Sequence, residues 1–309
     1  MHFLLLPLLA AVSALSPARQ WVPPAQPLNI NIKAEGDSKL VLTDFTGANI
    51  EPKNAGMASV SGEKTVNLKE IFDEVSRPGT YVLYVVPNGK GQNEFTGTPL
   101  VIEVRSDSRR GAPSEPIVTK IQPLEYVQMT TDKGPMTMIM YYDVAPVTSD
   151  SFLYLSRTGF YDSLTFHRIV PSFVIQGGDP RGDGTGGPGY NVQAEFNDRK
   201  HEPGVLSMAR NGDPNEQNGG MPRAEFANSA GSQFFVCLDY KNTQHLDHRY
   251  TAFGKVVKGM ETVTAIAQVP LADERSGKPA TPPVIQKAEV KEVTSGDNPY
   301  TELLGARKK

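Results

Sequence analysis

Phe166-His167-Arg168-Ile169-Val170-Pro171-Ser172-Phe173-Val174-Ile175-Gln176-Gly177-Gly178-Asp179-Pro180 sets one arginine and one glutamine among apolar residues, ahead of a Gly-Gly turn. Alone, the stretch fits an arginine salt-bridged at the edge of a sheet. Two later stretches give it more weight. In Asn228-Ser229-Ala230-Gly231-Ser232-Gln233-Phe234-Phe235-Val236, extended backbone turns Gln233 and Phe235 to one face and Phe234 and Val236 to the other. Leu246-Asp247-His248-Arg249-Tyr250-Thr251-Ala252-Phe253-Gly254 adds further rings. Brought together, the three would line a surface with one fixed cation, two amides and several aromatic faces.

With His201-Glu202-Pro203-Gly204-Val205-Leu206-Ser207-Met208-Ala209, these stretches resemble the cyclophilin family signature in order and spacing, over about Glu115 to Ser295. The resemblance implies a mainly β fold: an eight-stranded antiparallel barrel closed by two helices, with a substrate groove on its outer face. It implies peptidyl-prolyl cis-trans isomerase activity with no cofactor and no metal. The expected partners are proline-containing peptides and unfolded protein clients, with no nucleic acid. Matched position by position, Arg168 takes the catalytic arginine's place, supported by Gln176 and Phe173. The substrate-binding positions are His167, Val174, Ala209, Arg210, Gln233, Phe235, His245, Leu246, Tyr250 and Phe253. His245 stands where many members have Trp, Tyr250 where many have His, and Val174 where many have Met. Asn211 to Phe226 is an insertion rich in Asn, Gly and Pro. The competing readings are a proline-peptide binding module or holdase with this fold and little catalysis, and a structural scaffold.

Working outward, residues 117–295 form the expected barrel domain. Met136, Met138 and Met140 alternate as one buried strand face. Pro146 opens a short helix running through Phe152 and Leu155, and Gly159 ends it. A second helix follows Gly259. Residues 106–116 are polar and rich in breakers, which predicts a linker. Residues 27–105 predict a small β-sandwich-like domain: Leu28, Ile30 and Ile32 alternate with polar residues, and turn signals separate further β-rich runs. Leu68, Ile71, Phe72 and Val75 share a helical face there, capped by Asn67. Residues 296–309 read as a frayed polar tail.

The start, Met1 to Ala14, is a short apolar run ending in small residues. Its pattern predicts an export signal over residues 1–18, hence a periplasmic or extracellular protein. No later stretch is apolar and long enough to span a bilayer. In 309 residues the net charge is −3, which argues against a polyanion-binding surface. The single cysteine, Cys237, lies in an apolar run and reads as core. Gly182-Asp183-Gly184-Thr185-Gly186-Gly187 has the letters of a dinucleotide-binding loop. That motif needs a helix directly after it, and Pro188-Gly189 breaks the backbone instead. His167, His201, His245 and His248 lack metal-ligand spacing.

Overall fold

Alternation of Leu28, Ile30 and Ile32 with Asn29, Asn31 and Lys33 produces the strand it predicts, with the aliphatic side chains buried and the polar ones exposed. This computed structural model describes residues 15–16, 20–22, 26–106 and 116–304. The chain divides into two compact units, Met1–Leu124 with Glu292–Lys309, and Glu125–Lys291.

The first unit holds β1 (Leu15–Ser16), β2 (Gln20–Val22), β3 (Asn29–Asp44), β4 (Asn49–Ile50), β5 (Ser59–Asn67), α1 (Leu68–Ile71), β6 (Gly79–Pro87), β7 (Thr96–Ser106) and β8 (Pro116–Pro123). Its sheet runs β1-β3-β6-β7-β8-β2, with β4 and β5 also pairing on β3. The long β3 is shared: Asn29 to Ala34 pair with β5, and Ser38 to Asp44 pair with β6. The sandwich-like domain expected from the sequence is therefore one hydrogen-bonded network. Ile30, Leu42, Phe72, Leu83, Ile102 and Ile121 are among its wholly buried side chains. Asn67 caps α1 as expected, its Oδ1 accepting from Lys69 N at 3.3 Å.

Two boundaries differ from the sequence reading. β8, expected in the barrel domain, pairs instead with β7 from Leu100 to Ser106. The expected polar tail also belongs to the first unit: Val293 N donates to Leu124 O at 2.9 Å, and Tyr300 is wholly buried beside Phe45. A helix, Thr301–Leu304, ends on a buried Leu304. Both depend on pairing between distant segments, which local pattern does not encode. Residues 305–309, residues 107–115 of the linker and residues 1–14 and 17–18 of the expected export signal lie outside the described residues. Of that signal, Leu15 and Ser16 pair with Ile32 and Asn31 of β3.

The second unit contains β9 (Glu125–Thr131), β10 (Gly134–Met140), α2 (Pro146–Arg157), β11 (Arg168–Val170), β12 (Val174–Gly177), β13 (Val205–Met208), α3 (Ala224–Ala227), β14 (Phe234–Cys237), α4 (Tyr240–Thr243), β15 (Ala252–Lys258), α5 (Met260–Ala267), β16 (Leu271–Asp273), β17 (Lys278–Pro279) and β18 (Ile285–Glu292). The eight-stranded antiparallel sheet runs β11-β12-β14-β13-β15-β10-β9-β18. Its two ends meet just before β11. Ile285 N donates to Leu164 O at 2.7 Å, Ser163 N to Ile285 O at 2.8 Å, and Phe166 N to Pro283 O at 2.9 Å. These bonds, with a bridge between Thr165 and Val284, join the two ends of the curled sheet at that point. α2 has no cap from its own N-cap residue, Ala145; the Glu195 carboxylate accepts from Val147 N and Thr148 N instead. Inside, Phe152 of α2 packs on Tyr161, Phe234 and Phe253, with ring centroids 5.0, 5.3 and 5.1 Å away. Aromatic pairs at these distances contribute beyond their buried area. Met136, Met138 and Met140 are wholly buried, and so is Cys237, whose thiol pKa is pushed up by burial.

Candidate active site

Strand register decides which side chains meet. Arg168 in β11 stands opposite Gln176 in β12, and Gln176 stands opposite Phe235 in β14. Directly paired residues share a face and come within reach of one another. The alternate row, Ile169, Ile175 and Val236, takes the other face and is wholly buried.

Arg168 is half-buried, and its Nη1 donates to Gln176 Oε1 at 3.1 Å. Gln176 Nε2 donates to Gln233 Oε1 at 3.0 Å. Gln233 Nε2 in turn donates to the carbonyls of Gly184 and Gly186, at 3.0 and 2.9 Å. This amide relay ties the guanidinium back to the glycine-rich loop. The loop folds around the Asp179 carboxylate, which accepts from the backbone of Arg181, Asp183 and Gly184. Gly186 lies so close that a Cβ there would sit 2.0 Å from Asp179 Oδ1. No helix follows the loop between Pro188 and Lys200, so the phosphate-binding geometry is missing.

Among the described residues Arg168 has no carboxylate partner. The reading of a salt-bridged edge arginine therefore fails. Burial draws the guanidinium pKa down, with Tyr250 opposing, yet the group stays charged at any working pH.

Arg168 and Gln176 border a cavity of about 220 Å³ walled by Phe173, Val174, Phe235, His245, Leu246 and Tyr250, with Ala209 and Arg210 completing it. Phe173 reaches the rim through a tight turn: its N–H donates to Val170 O at 3.0 Å, and Ser172 adopts a φ of 59°. Its ring stacks on His245 at 5.6 Å. Phe235 meets the edge of Tyr250 at 5.9 Å. A larger cavity of about 720 Å³ adjoins; Gln176, Ala209 and Arg210 line both, and Gln233 lines the larger one. The two cavities thus draw together eleven of the thirteen residues expected in the site.

Two expected residues do not line the groove. Phe253 is wholly buried in the barrel core on Phe152. Its neighbour Ala252 packs on the groove side with Phe235 and Leu246, and consecutive strand residues point opposite ways. His167 is 9% exposed and lines neither cavity; it adjoins Arg168, and among the described residues neither ring nitrogen has a hydrogen-bond partner. Burial holds its pKa below the usual imidazole value.

The structure adds groups that sequence reasoning missed. His201, Asp247 and Ser207 form a hydrogen-bonded chain, with 3.0 Å from Nδ1 to Asp247 Oδ1 and 3.0 Å from Nε2 to Ser207 Oγ. The residue types are those of a hydrolase triad, but His201 and Ser207 are wholly buried and Ser207 Oγ donates to Thr251 O. No substrate carbonyl can reach this serine, so nucleophilic catalysis is excluded for it. Glu216 is the second omission. Both its oxygens accept from Arg210, at 3.0 and 2.7 Å. The spacing Asp213-x-x-Glu216 is a capping-box signal. It announces the turn that forms, in which Glu216 accepts from Asp213 N, but not the reach to Arg210.

The sequence model for "Cyclophilin type peptidyl-prolyl cis-trans isomerase/CLD" matches residues 126–290. A peptidyl-prolyl cis-trans isomerase of Synechococcus elongatus is 43% identical over 127 residues, which is 41% of this chain and 77% of that protein. One from Helicobacter pylori is 37% identical over 147 residues, 46% of this chain and 80% of that protein. A longer protein of Cryptococcus neoformans, peptidyl-prolyl cis-trans isomerase-like 2, is 40% identical over 151 residues; the match spans 47% of this chain and 24% of that one. With the curled antiparallel sheet and its groove, these matches place the chain in the cyclophilin-type peptidyl-prolyl cis-trans isomerase family.

Proposed function

We propose that this chain rotates X-Pro bonds in exported proteins, with Arg168 stabilising the twisted amide and no covalent intermediate. Rotation must break amide resonance, a barrier of about 18–20 kcal/mol. No bond is made or cut, so the site needs no nucleophile. As the amide twists, the proline nitrogen regains its lone pair and becomes a better acceptor. A charged guanidinium can donate to it, and that interaction grows toward the transition state, which is the condition for catalysis. Phe173, Phe235 and Leu246 would grip the proline ring while the other side turns. The Gln176–Gln233 relay would hold the fork in place beforehand, which removes reorganisation from the reaction step. A 10⁵-fold acceleration needs about 7 kcal/mol of differential stabilisation. One hydrogen bond from a charged donor supplies roughly 1.5–3 kcal/mol, and exclusion of water by the pocket supports the remainder.

The observation that carries this reading is the half-buried Arg168, held by a neutral amide and free of any carboxylate among the described residues, at the border of an apolar pocket. The test is exchange of an Ala-Pro peptide by wild type and Arg168→Ala. Turnover that survives the substitution removes Arg168 from the chemistry, and a wild type that binds proline peptides without turning them over favours a holdase. The exported setting is supported by the apolar run Met1 to Ala14. N-terminal sequencing of protein recovered from the cell exterior or periplasm should find the chain beginning near Ala14 to Ala18; full-length chain confined to the cytoplasm contradicts it.

A further inference from the structure

The insertion beside the groove has a defined architecture. Asp213 is its anchor: the carboxylate accepts from Asn215 N, from Arg223 N and from the Arg223 guanidinium at 3.0 Å. Arg249 clamps the far side, donating to the carbonyls of Gly220 and Gly219 at 2.7 and 2.9 Å. This framework presents Glu216 to Arg210. The Arg210 side chain is 2% exposed and uses Nη1 and Nη2 on Glu216, Asn211 O and Arg249 O. Its plane lies 4.1 Å over the Tyr250 ring. Arg210 therefore stands where the two cavities adjoin, lining both.

Charge makes this pairing consequential. Arg168, Arg181 and Arg210 line the two cavities, and no carboxylate lines either. Glu216 lines neither cavity, pairs with Arg210 and so cancels one of the three cations. Resting on the isomerase reading above, we infer that Glu216 is a specificity-determining residue, which lowers the groove's preference for acidic residues flanking the X-Pro bond by neutralising Arg210. Without it, a desolvated guanidinium would project its field into both cavities, where low dielectric strengthens it.

The test uses the full chain and three peptides that differ only in glutamate, alanine or lysine beside X-Pro. In Glu216→Gln the glutamate-to-lysine ratio of kcat/KM should rise about five- to tenfold over wild type, carried by KM. Turnover of the alanine peptide should stay within about threefold of wild type, because the chemistry at Arg168 is untouched. Glu216→Asp, which restores the charge on a shorter arm, should bring the ratio back toward wild type. Raising salt to about 1 M should shrink the Glu216→Gln effect, since the Debye length falls to about 3 Å. An active Glu216→Gln with the wild-type ratio overturns the inference, as does a loss equal across all three peptides that Glu216→Asp does not repair. A wild type inactive on every peptide instead brings down the isomerase reading, and this inference with it.

Discussion

Arg168 and Arg210 border the same pocket and are supported in different ways. Arg168 leans on one neutral amide and has no carboxylate among the described residues. Arg210 is held through both Nη atoms by a bidentate glutamate and two backbone carbonyls, with an aromatic face beneath it. An unpaired guanidinium keeps donors in reserve for a group that appears only in a transition state. A paired one is structural, and its removal strands the partner's charge. The same residue type thus stands without a carboxylate at one border of the groove and bound to one at the other.

The sharpest way to break this contrast is to remove each arginine in turn. Arg168→Ala should lower kcat/KM by about 10²–10³-fold, the usual loss of one pre-organised donor, with its melting temperature almost unchanged. Arg210→Ala should do the reverse: a smaller activity loss, and a melting temperature lower by roughly 5–10 °C because Glu216 loses its partner. If both variants behave alike in assay and calorimetry, the distinction between the two arginines is wrong. Next in size is Gln176→Leu, which cuts the relay while leaving Arg168 charged. Loss of one supporting hydrogen bond should cost about tenfold in turnover; an unchanged rate would show that Arg168 needs no fixing.

Inhibitor binding sharpens the comparison on the aromatic rim. Cyclosporin-like macrocycles occupy the proline groove in this family, and His245 is exposed there while stacked on Phe173. His245→Trp offers more apolar area and keeps an N–H donor, so cyclosporin affinity should rise about tenfold by titration. No gain would mean that this rim position does not set affinity. The smallest expected effect is on acid stability. Burial holds His167 and His201 below the usual imidazole pKa. Near and below about pH 6.5 the unfolded chain then binds protons that the folded one refuses, so stability falls as pH drops through that value. Arg223 and Arg210 hold Asp213 and Glu216 low, and their contribution is lost only in stronger acid, below about pH 4.5. The melting temperature should therefore drop by a few degrees from pH 7.5 to 5.5, less steeply in His167→Gln. A flat profile would contradict the role of the two buried imidazoles.

Periodic and contiguous features were readable before the fold was seen. The alternation of β3, the helix opened at Pro146 and the three groove stretches are local patterns, and the structure holds each of them. What escaped depends on contact between distant segments. Nothing within Pro116 to Pro123 says that it pairs with β7, and nothing in the polar run after Ser295 marks Tyr300 as core. Phe253 was lost by one position, since a strand puts neighbours on opposite faces and only register says which of Ala252 and Phe253 meets the groove. Glu216 was hidden because a loop's partner is set by where the loop lands.

The first unit is interrupted in sequence by the second, and this has a consequence for synthesis. A ribosome that has made residues 26–124 has not made a finished domain, because residues 292–304 still have to arrive. The barrel has all of its residues once Lys291 has been added, before Tyr300 exists to fill its place beside Phe45. Nascent chains usually complete their N-terminal domain first. Here that order is closed off: the first unit's sheet cannot receive its last ring until after every residue of the barrel has been made.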